Sequence, residues 1–232
     1  MISAVIVAGG KGARMGLNIN KQYYRIYDKE ILAITLEVFN KLELIDEIIL
    51  VVSEEEISYC NENIMKKYKL NKIKKIVKGG EERQQSVYNG LKNCNIKTDI
   101  VLIHDGARPF VNERIIRDSI KCAKIYGACT AAISVKDTIK VVDKDAVVMD
   151  TLNRNNLVVI QTPQTFRFDL ILKAHEEGIK NKLCVTDDTM FVEAMEKTVK
   201  IVEGSYFNIK LTTPEDLIFG KAIYEYMQNS PR

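Results

Sequence analysis

The sequence predicts an α/β fold: a mostly parallel sheet with helices on both faces and a small β-arm inserted into it. Three observations point there. Short apolar, β-branched runs alternate with helical patterns along nearly the whole chain. A glycine-rich loop directly follows the first such run. One stretch, 136–156, breaks the alternation with two β-like pieces and no helix between them. Strand-forming runs fall at 3–7, 47–52, 74–77, 100–103, 128–135, 158–161 and near 199–202. Helical patterns fall between them at about 31–41, 54–69, 84–94, 112–126, 168–181 and 188–197. A last helix starts at Thr213, where Thr213-Pro214-Glu215-Asp216 offers a hydroxyl N-cap, proline at the first helical position and acids in the first turn. The arm pairs 138–142 with 146–149 across the polar turn Asp143-Lys144-Asp145. Such an insertion is not needed to close the core, which suits a binding or oligomer role.

The chain has 232 residues, read as one domain over 1–232 with the arm at about 136–156. A hydrophobic share of 46% and a charged share of 28% are globular values and exclude a disordered or fibrous chain. Lys plus Arg (34) nearly balances Asp plus Glu (31), so the +3 total gives no case for nucleic acid. The longest apolar runs are far too short to span a membrane. The first residues read as a strand and loop, not a signal peptide. Five cysteines without CxxC spacing read as reduced thiols, and two histidines make a His-rich zinc site improbable. A cytoplasmic protein is expected.

Sheets of this kind bind ligands outside the carboxyl ends of their strands. The loop after the first strand holds four glycines between Gly9 and Gly16, with Arg14 inside it and Lys21 beyond. Its amides make a natural nest for phosphate. Neither standard phosphate motif fits. The sixth place of GxGxxG is Met15, and Gly16 is followed by Leu17 and Asn18 where a P-loop needs lysine and a hydroxyl. A nicotinamide oxidoreductase is thereby disfavoured. At the second glycine turn, Gly79-Gly80, Arg83 and Ser86 lie one helical turn apart and could face one ligand; alone, this is also a generic strand–helix turn. At His104-Asp105-Gly106-Ala107-Arg108-Pro109, an acid stands at a strand's carboxyl end, where it could hold Mg²⁺ beside nucleotide phosphates. A structural Asp105–Arg108 ion pair is the alternative reading. His104 reads as a satisfied, semi-buried histidine. Thr186-Asp187-Asp188 reads most simply as a helix N-cap.

In order, the segments AGGKGARM, NKQ, VKGGEERQQSV, HDGARP, VKDTIK, TLNR, QTPQTF, TDD, VEG and NIKLTTPEDL resemble the 2-C-methyl-D-erythritol 4-phosphate cytidylyltransferase family from Val5 to about Leu217. The resemblance implies a Rossmann-like nucleotidyltransferase domain. It implies transfer of a cytidylyl group from CTP to the polyol phosphate, with release of pyrophosphate, in non-mevalonate isoprenoid biosynthesis. Arg14, Lys21 and Lys210 are then the catalytic cations. Ala8, Gly9, Gly10, Gly12, Gly80, Arg83, Ser86, Asp105 and Gly106 would bind CTP, and Asp105 would also hold Mg²⁺. Arg108, Thr138, Arg154 and Thr162 match substrate-side positions, Thr138 and Arg154 from the arm of a homodimer partner.

Ala8-Gly9-Gly10 and Asp105-Gly106-Ala107 depart from the usual pattern and lean toward a sister family, ribitol-5-phosphate cytidylyltransferase. Asn20-Lys21-Gln22 departs as well. Asp187-Asp188 and the helix carrying Ser86 and Gly90 resemble the methylerythritol enzymes. A nucleotide-binding module that has lost catalysis is argued against by Arg14, Lys21, Asp105 and Lys210 all being present.

Overall fold

The computed structural model describes residues 1–10 and 20–229, with only the backbone of Lys21. A seven-stranded sheet forms the centre, in the order β11-β7-β10-β6-β1-β4-β5. β1 (Ile2–Val7) opens the chain. After a 3-10 turn at Lys21–Tyr23, the short pair β2 (Arg25–Ile26) and β3 (Lys29–Glu30) leads into α1 (Ile31–Lys41). β4 (Glu47–Val52) follows, and then a broken helical run. That run is a 3-10 turn at Glu54–Glu56, one turn of α2 (Ile57–Tyr59) and a π-helix at Cys60–Lys66. The even helix expected over 54–69 is thus three pieces.

β5 (Ile73–Lys78), α3 (Arg83–Lys92), β6 (Ile100–Asp105) and α4 (Glu113–Tyr126) continue the alternation. The Asn112 side chain caps α4 by accepting the Ile115 N–H at 3.0 Å. β7 (Ala128–Ser134) leads to the arm, β8 (Lys140–Val142) and β9 (Val148–Thr151), a separate two-stranded sheet. β10 (Val158–Arg167), α5 (Phe168–Lys180), α6 (Thr189–Ala194), β11 (Lys200–Glu203) and α7 (Pro214–Asn229) complete the fold.

β1 shows why the sheet is covered on both faces. Ala4 and Ile6 join a cluster with Leu32, Leu36 and Phe39 of α1 and Ile116 and Ile120 of α4. Val5, pointing the other way, joins Val87 and Leu91 of α3, Ile171 of α5 and Phe191 of α6. Two-sided burial is what a continuous Val/Ile run encodes. A third cluster, around Ile26, Ile31, Phe110 and Leu211, seats α7. Gly90 brings helix and sheet into close approach: a Cβ there would sit 2.4 Å from Val5 Cγ1.

β10 departs from expectation. It runs antiparallel between β6 and β7, and it continues six residues past the expected end at Gln161. Gln161-Thr162-Pro163-Gln164, where the run read from the sequence stops, is its buried middle. Among the described residues, the remaining neighbouring pairs of this sheet are parallel. The fold is therefore mixed α/β with a mostly parallel sheet, as the sequence implies. No described helix is long and apolar enough to cross a membrane.

Candidate active site

The strand register brings three loops together. Val7 lies beside Val51 on one side and Asp105 on the other, so the carboxyl ends of β1, β4 and β6 are level. The Ala8 N–H donates to Val51 O at 2.7 Å, and the Gly79 N–H donates to Val52 O at 2.7 Å, which ties the loop after β5 to the same edge. Lys210 arrives from far along the chain. The Leu211 N–H donates to Ala107 O at 2.9 Å and holds it beside β6.

These loops enclose a cavity of about 320 Å³, walled by Ala8, Gly9, Gly10, Gly80, Ser86 and the side chains below. Among the described residues, nothing lies within 4 Å of a Cβ built on Gly10. Gly80 is different: its Cβ would fall 2.3 Å from Gln85 Cβ, so the turn needs glycine for a close approach. Ser86 Oγ accepts the Gly80 N–H at 3.0 Å and donates to Glu82 O at 3.1 Å, which fixes the turn over the start of α3. A second cavity of about 260 Å³ adjoins it, lined by Arg108, Thr162, Gln164, Asp187 and others. Arg83, Asp105 and Lys210 line both.

Asp105 is the electrostatic centre. Lys210 Nζ stands 2.8 Å from its Oδ2, Arg108 Nε 3.7 Å from Oδ2, and Arg83 Nε 3.4 Å from Oδ1. Burial opposes the charge, but Arg83, Lys210 and Arg108 outweigh it and hold the carboxyl far below its ordinary value. The site is thus a buried carboxylate carrying more positive charge than it neutralises, which suits an anion with several charges.

Behind it runs a hydrogen-bonded chain. The Asp105 N–H donates to Thr162 Oγ1 at 3.1 Å, and Thr162 Oγ1 lies 3.0 Å from His104 Nδ1. His104 Nε2 lies 3.1 Å from Arg108 O. A carbonyl can only accept, so the proton is on Nε2 and Nδ1 accepts from Thr162. Burial pushes the His104 imidazole down to about 4, although its bond to Arg108 favours the charged form. His104 is therefore wholly buried and neutral, and it orients Thr162 and the loop carrying Arg108. The Arg108 guanidinium also donates to Asn208 O at 2.8 Å.

The structure brings together Ala8, Gly9, Gly10, Gly80, Arg83, Ser86, Asp105, Arg108, Thr162 and Lys210. Asp105 and Arg108 form the ion pair of the alternative reading, and each also lines a cavity. Gly106 stands behind the wall, its N–H donating to Val7 O at 2.9 Å and its O accepting from Thr35 Oγ1 at 2.8 Å. Thr138 and Arg154 lie apart, at the arm, where the Arg154 guanidinium donates to Lys136 O at 2.7 Å. Gly12, Arg14 and the Lys21 side chain lie outside the described residues. Glu56 nonetheless shows how Lys21 is anchored: it accepts from both flanking residues, Asn20 and Gln22. Gln22, Gln164 and Asp187 also line the cavities and carry no motif signal alone.

A family model for 2-C-methyl-D-erythritol 4-phosphate cytidylyltransferase (IspD) matches residues 2–226. The chain belongs to this family. It is 52% identical over 222 residues to the enzyme of that name from Clostridium novyi, covering 96% of each chain. The 4-diphosphocytidyl-2C-methyl-D-erythritol synthase structure from Anaerococcus prevotii superposes with a TM-score of 0.85 at 36% identity, over 98% of this chain and 96% of that one. The Francisella tularensis 2-C-methyl-D-erythritol 4-phosphate cytidylyltransferase structure gives 0.81 at 33%, over 96% and 99%. The lean of the two glycine positions toward the ribitol family is therefore not favoured. Gly9 is the place where Ala8-Gly9-Gly10 departs, and among the described residues a Cβ built there meets nothing closer than Val52 C at 3.5 Å, an ordinary contact.

Proposed function

We infer that the chain is a CTP-dependent nucleotidyltransferase that joins CTP and 2-C-methyl-D-erythritol 4-phosphate, the family's step in isoprenoid biosynthesis. A phosphate oxygen of the polyol attacks the α-phosphorus of CTP, the bond to the β-phosphate breaks, and pyrophosphate leaves. One observation carries the reading: Arg83, Asp105 and Lys210 form a charged wall shared by two adjoining cavities. A nucleotide in the glycine-lined cavity and a polyol phosphate beside Arg108 and Thr162 would meet at that wall. The attack then needs positioning and charge neutralisation, not a covalent intermediate.

In this reading the backbone of Ala8, Gly9, Gly10 and Gly80 cradles the nucleotide, with Gly12 and Gly106 in supporting places. Arg14, Lys21 and Lys210 neutralise charge as it gathers on the phosphates. Mg²⁺ fits the donor set. No cluster of three acidic, histidine or cysteine ligands exists among the described residues, but Mg²⁺ commonly takes one or two protein carboxylates and completes its shell with phosphates and water. Asp105 faces the cavity and would be that carboxylate, once its lysine and arginine partners turn to the phosphates. The ion when bound would neutralise phosphate charge.

The arm is the proposed dimer contact, bringing Thr138 and Arg154 to a partner's polyol phosphate. Val141, Val142, Val148, Met149 and Leu152 are exposed along it, an apolar strip of the kind that marks a protein interface. The working unit would be two copies of one nucleotidyltransferase domain, in the cytoplasm, where the free thiols stay reduced.

Purified protein with CTP, Mg²⁺ and either methylerythritol or ribitol phosphate tests the activity. Pyrophosphate release should be far faster with methylerythritol phosphate. Preferential formation of CDP-ribitol would overturn the substrate assignment.

A further inference from the structure

Asp188 holds the N-cap position of α6, yet its side chain makes no capping bond. Its neighbour does that work: Asp187 Oδ1 accepts the Met190 N–H at 3.2 Å and the Thr189 hydroxyl at 2.9 Å. The capping read from Thr186-Asp187-Asp188 thus belongs to Asp187, which leaves the second carboxylate for something else. Asp188 is fully buried and outside both cavities. Gln164 Oε1 accepts its N–H at 2.9 Å and fixes the backbone. Its Oδ2 stands 2.8 Å from Arg83 Nη1, and its Oδ1 3.3 Å from Nε2 of the buried His175, which packs on Phe191.

The Arg83 guanidinium therefore sits between two acids. It is 2.8 Å from Asp188 behind the wall and 3.4 Å from Asp105 on the cavity side. Burial disfavours its charge, and the attraction of Asp188, ahead of Asp105, more than offsets that. A cation whose firmer partner is out of reach of ligand stays in place when the nearer acid changes partners.

We infer that Asp188 is a positioning residue that holds the Arg83 guanidinium at the wall between the two cavities. The inference rests on the proposed role of that wall in binding phosphates. Asp188→Asn keeps the shape and removes the charge. Its effect should travel through Arg83, so a double-mutant cycle with Arg83→Gln decides.

The cycle is measured on kcat/KM for CTP, with kcat and KM separated. Asp188→Asn should lower kcat/KM by about tenfold in the parent and leave it unchanged in the Arg83→Gln background. Val192→Ala, a core truncation on the same helix, is the stability control; it should lower Tm without changing the kinetics. If Asp188→Asn costs as much in the Arg83→Gln background as in the parent, it acts independently of Arg83 and the inference is wrong. Kinetic losses in Val192→Ala matching those of Asp188→Asn would also overturn it, in favour of simple destabilisation. Should Arg83→Gln leave kcat/KM intact, the wall itself has been misassigned; an intact Asp188→Asn beside an impaired Arg83→Gln removes only the positioning role.

Discussion

Acidifying this protein through the range where histidines titrate should cost it stability through one buried ring. His104 is wholly buried, with Nε2–H bonded to Arg108 O and Nδ1 accepting from Thr162. A proton on Nδ1 would break the bond from Thr162 and place a charge beside the Phe39 ring, whose centroid is 5.0 Å away. Its value falls from 6.5 in the open chain to about 4 in the fold. The folded state therefore takes its proton later than the unfolded one. The contribution is complete above about pH 6.5 and is lost progressively as pH falls toward 4. The full span is worth about 3 kcal/mol, and about 2.5 kcal/mol should be gone by pH 4.5. For a chain of this size that lowers Tm by about 5–10 °C. Asp105 and Asp188 are held below their ordinary value of 3.8, so their contributions fade at lower pH. Glu30, held down to about 2 from 4.5, begins to lose its share only at the bottom of the window, and does so in the parent and in a His104 variant alike. The assay is urea or thermal unfolding of the parent and of His104→Gln between pH 7 and 4.5. The glutamine amide still donates to a carbonyl but does not titrate, so its stability should fall less steeply. Parallel curves for the two proteins across that window would refute the reasoning.

Other outcomes are expected. Gly90→Ala should destabilise by about 1–3 kcal/mol, because its Cβ meets Val5 Cγ1 at 2.4 Å, while kcat/KM stays near the parent value; denaturant unfolding measures the first and steady-state kinetics the second. Lys210→Gln should lower kcat by about 10²–10³-fold with a smaller change in CTP affinity, if its charge serves chiefly the transition state; equal losses in both would argue for ground-state binding alone. Asp105→Asn should abolish the Mg²⁺ dependence of CTP binding and strengthen metal-free binding of pyrophosphate, since three cations lose their shared anion; calorimetry with and without the ion checks both. Arg154→Ala should raise KM for the polyol phosphate and regain activity when mixed with inactive Lys21→Ala; failure in proven heterodimers would place the arginine's role within one chain.

The central strands β1, β4 and β6 were legible because each is an apolar run buried on both faces, a pattern with few other uses. β10 was not. Gln161, Thr162, Gln164 and Thr165 are buried polar residues around a proline, and locally that composition reads as a turn. What makes it a strand is distant: Thr165 bonds Ser119, Gln164 bonds Thr130, and Asn208 bonds Thr162 O. The site shows the same division. The glycine turns and the acid that ends β6 stand out from their neighbours in the chain. Lys210 and Asp188 acquire meaning only when the fold sets them against Asp105 and Arg83, across roughly a hundred residues.

The reversed strand has a mechanical consequence. The arm ends at Thr151, β10 begins at Val158, and Thr162 is four residues further along the same strand. At about 3.3 Å per residue, that is about 13 Å of extended chain within one strand. Whatever grips the arm therefore acts through the turn at Arg154–Asn156 and the paired start of β10, and it meets Thr162, the hydroxyl that bonds the Asp105 backbone, where the ladder slips between Ile160 and Gln164. A neighbouring molecule would not merely lend side chains to the pocket. It would also bear on the backbone that leads, within one strand, to the wall of the pocket.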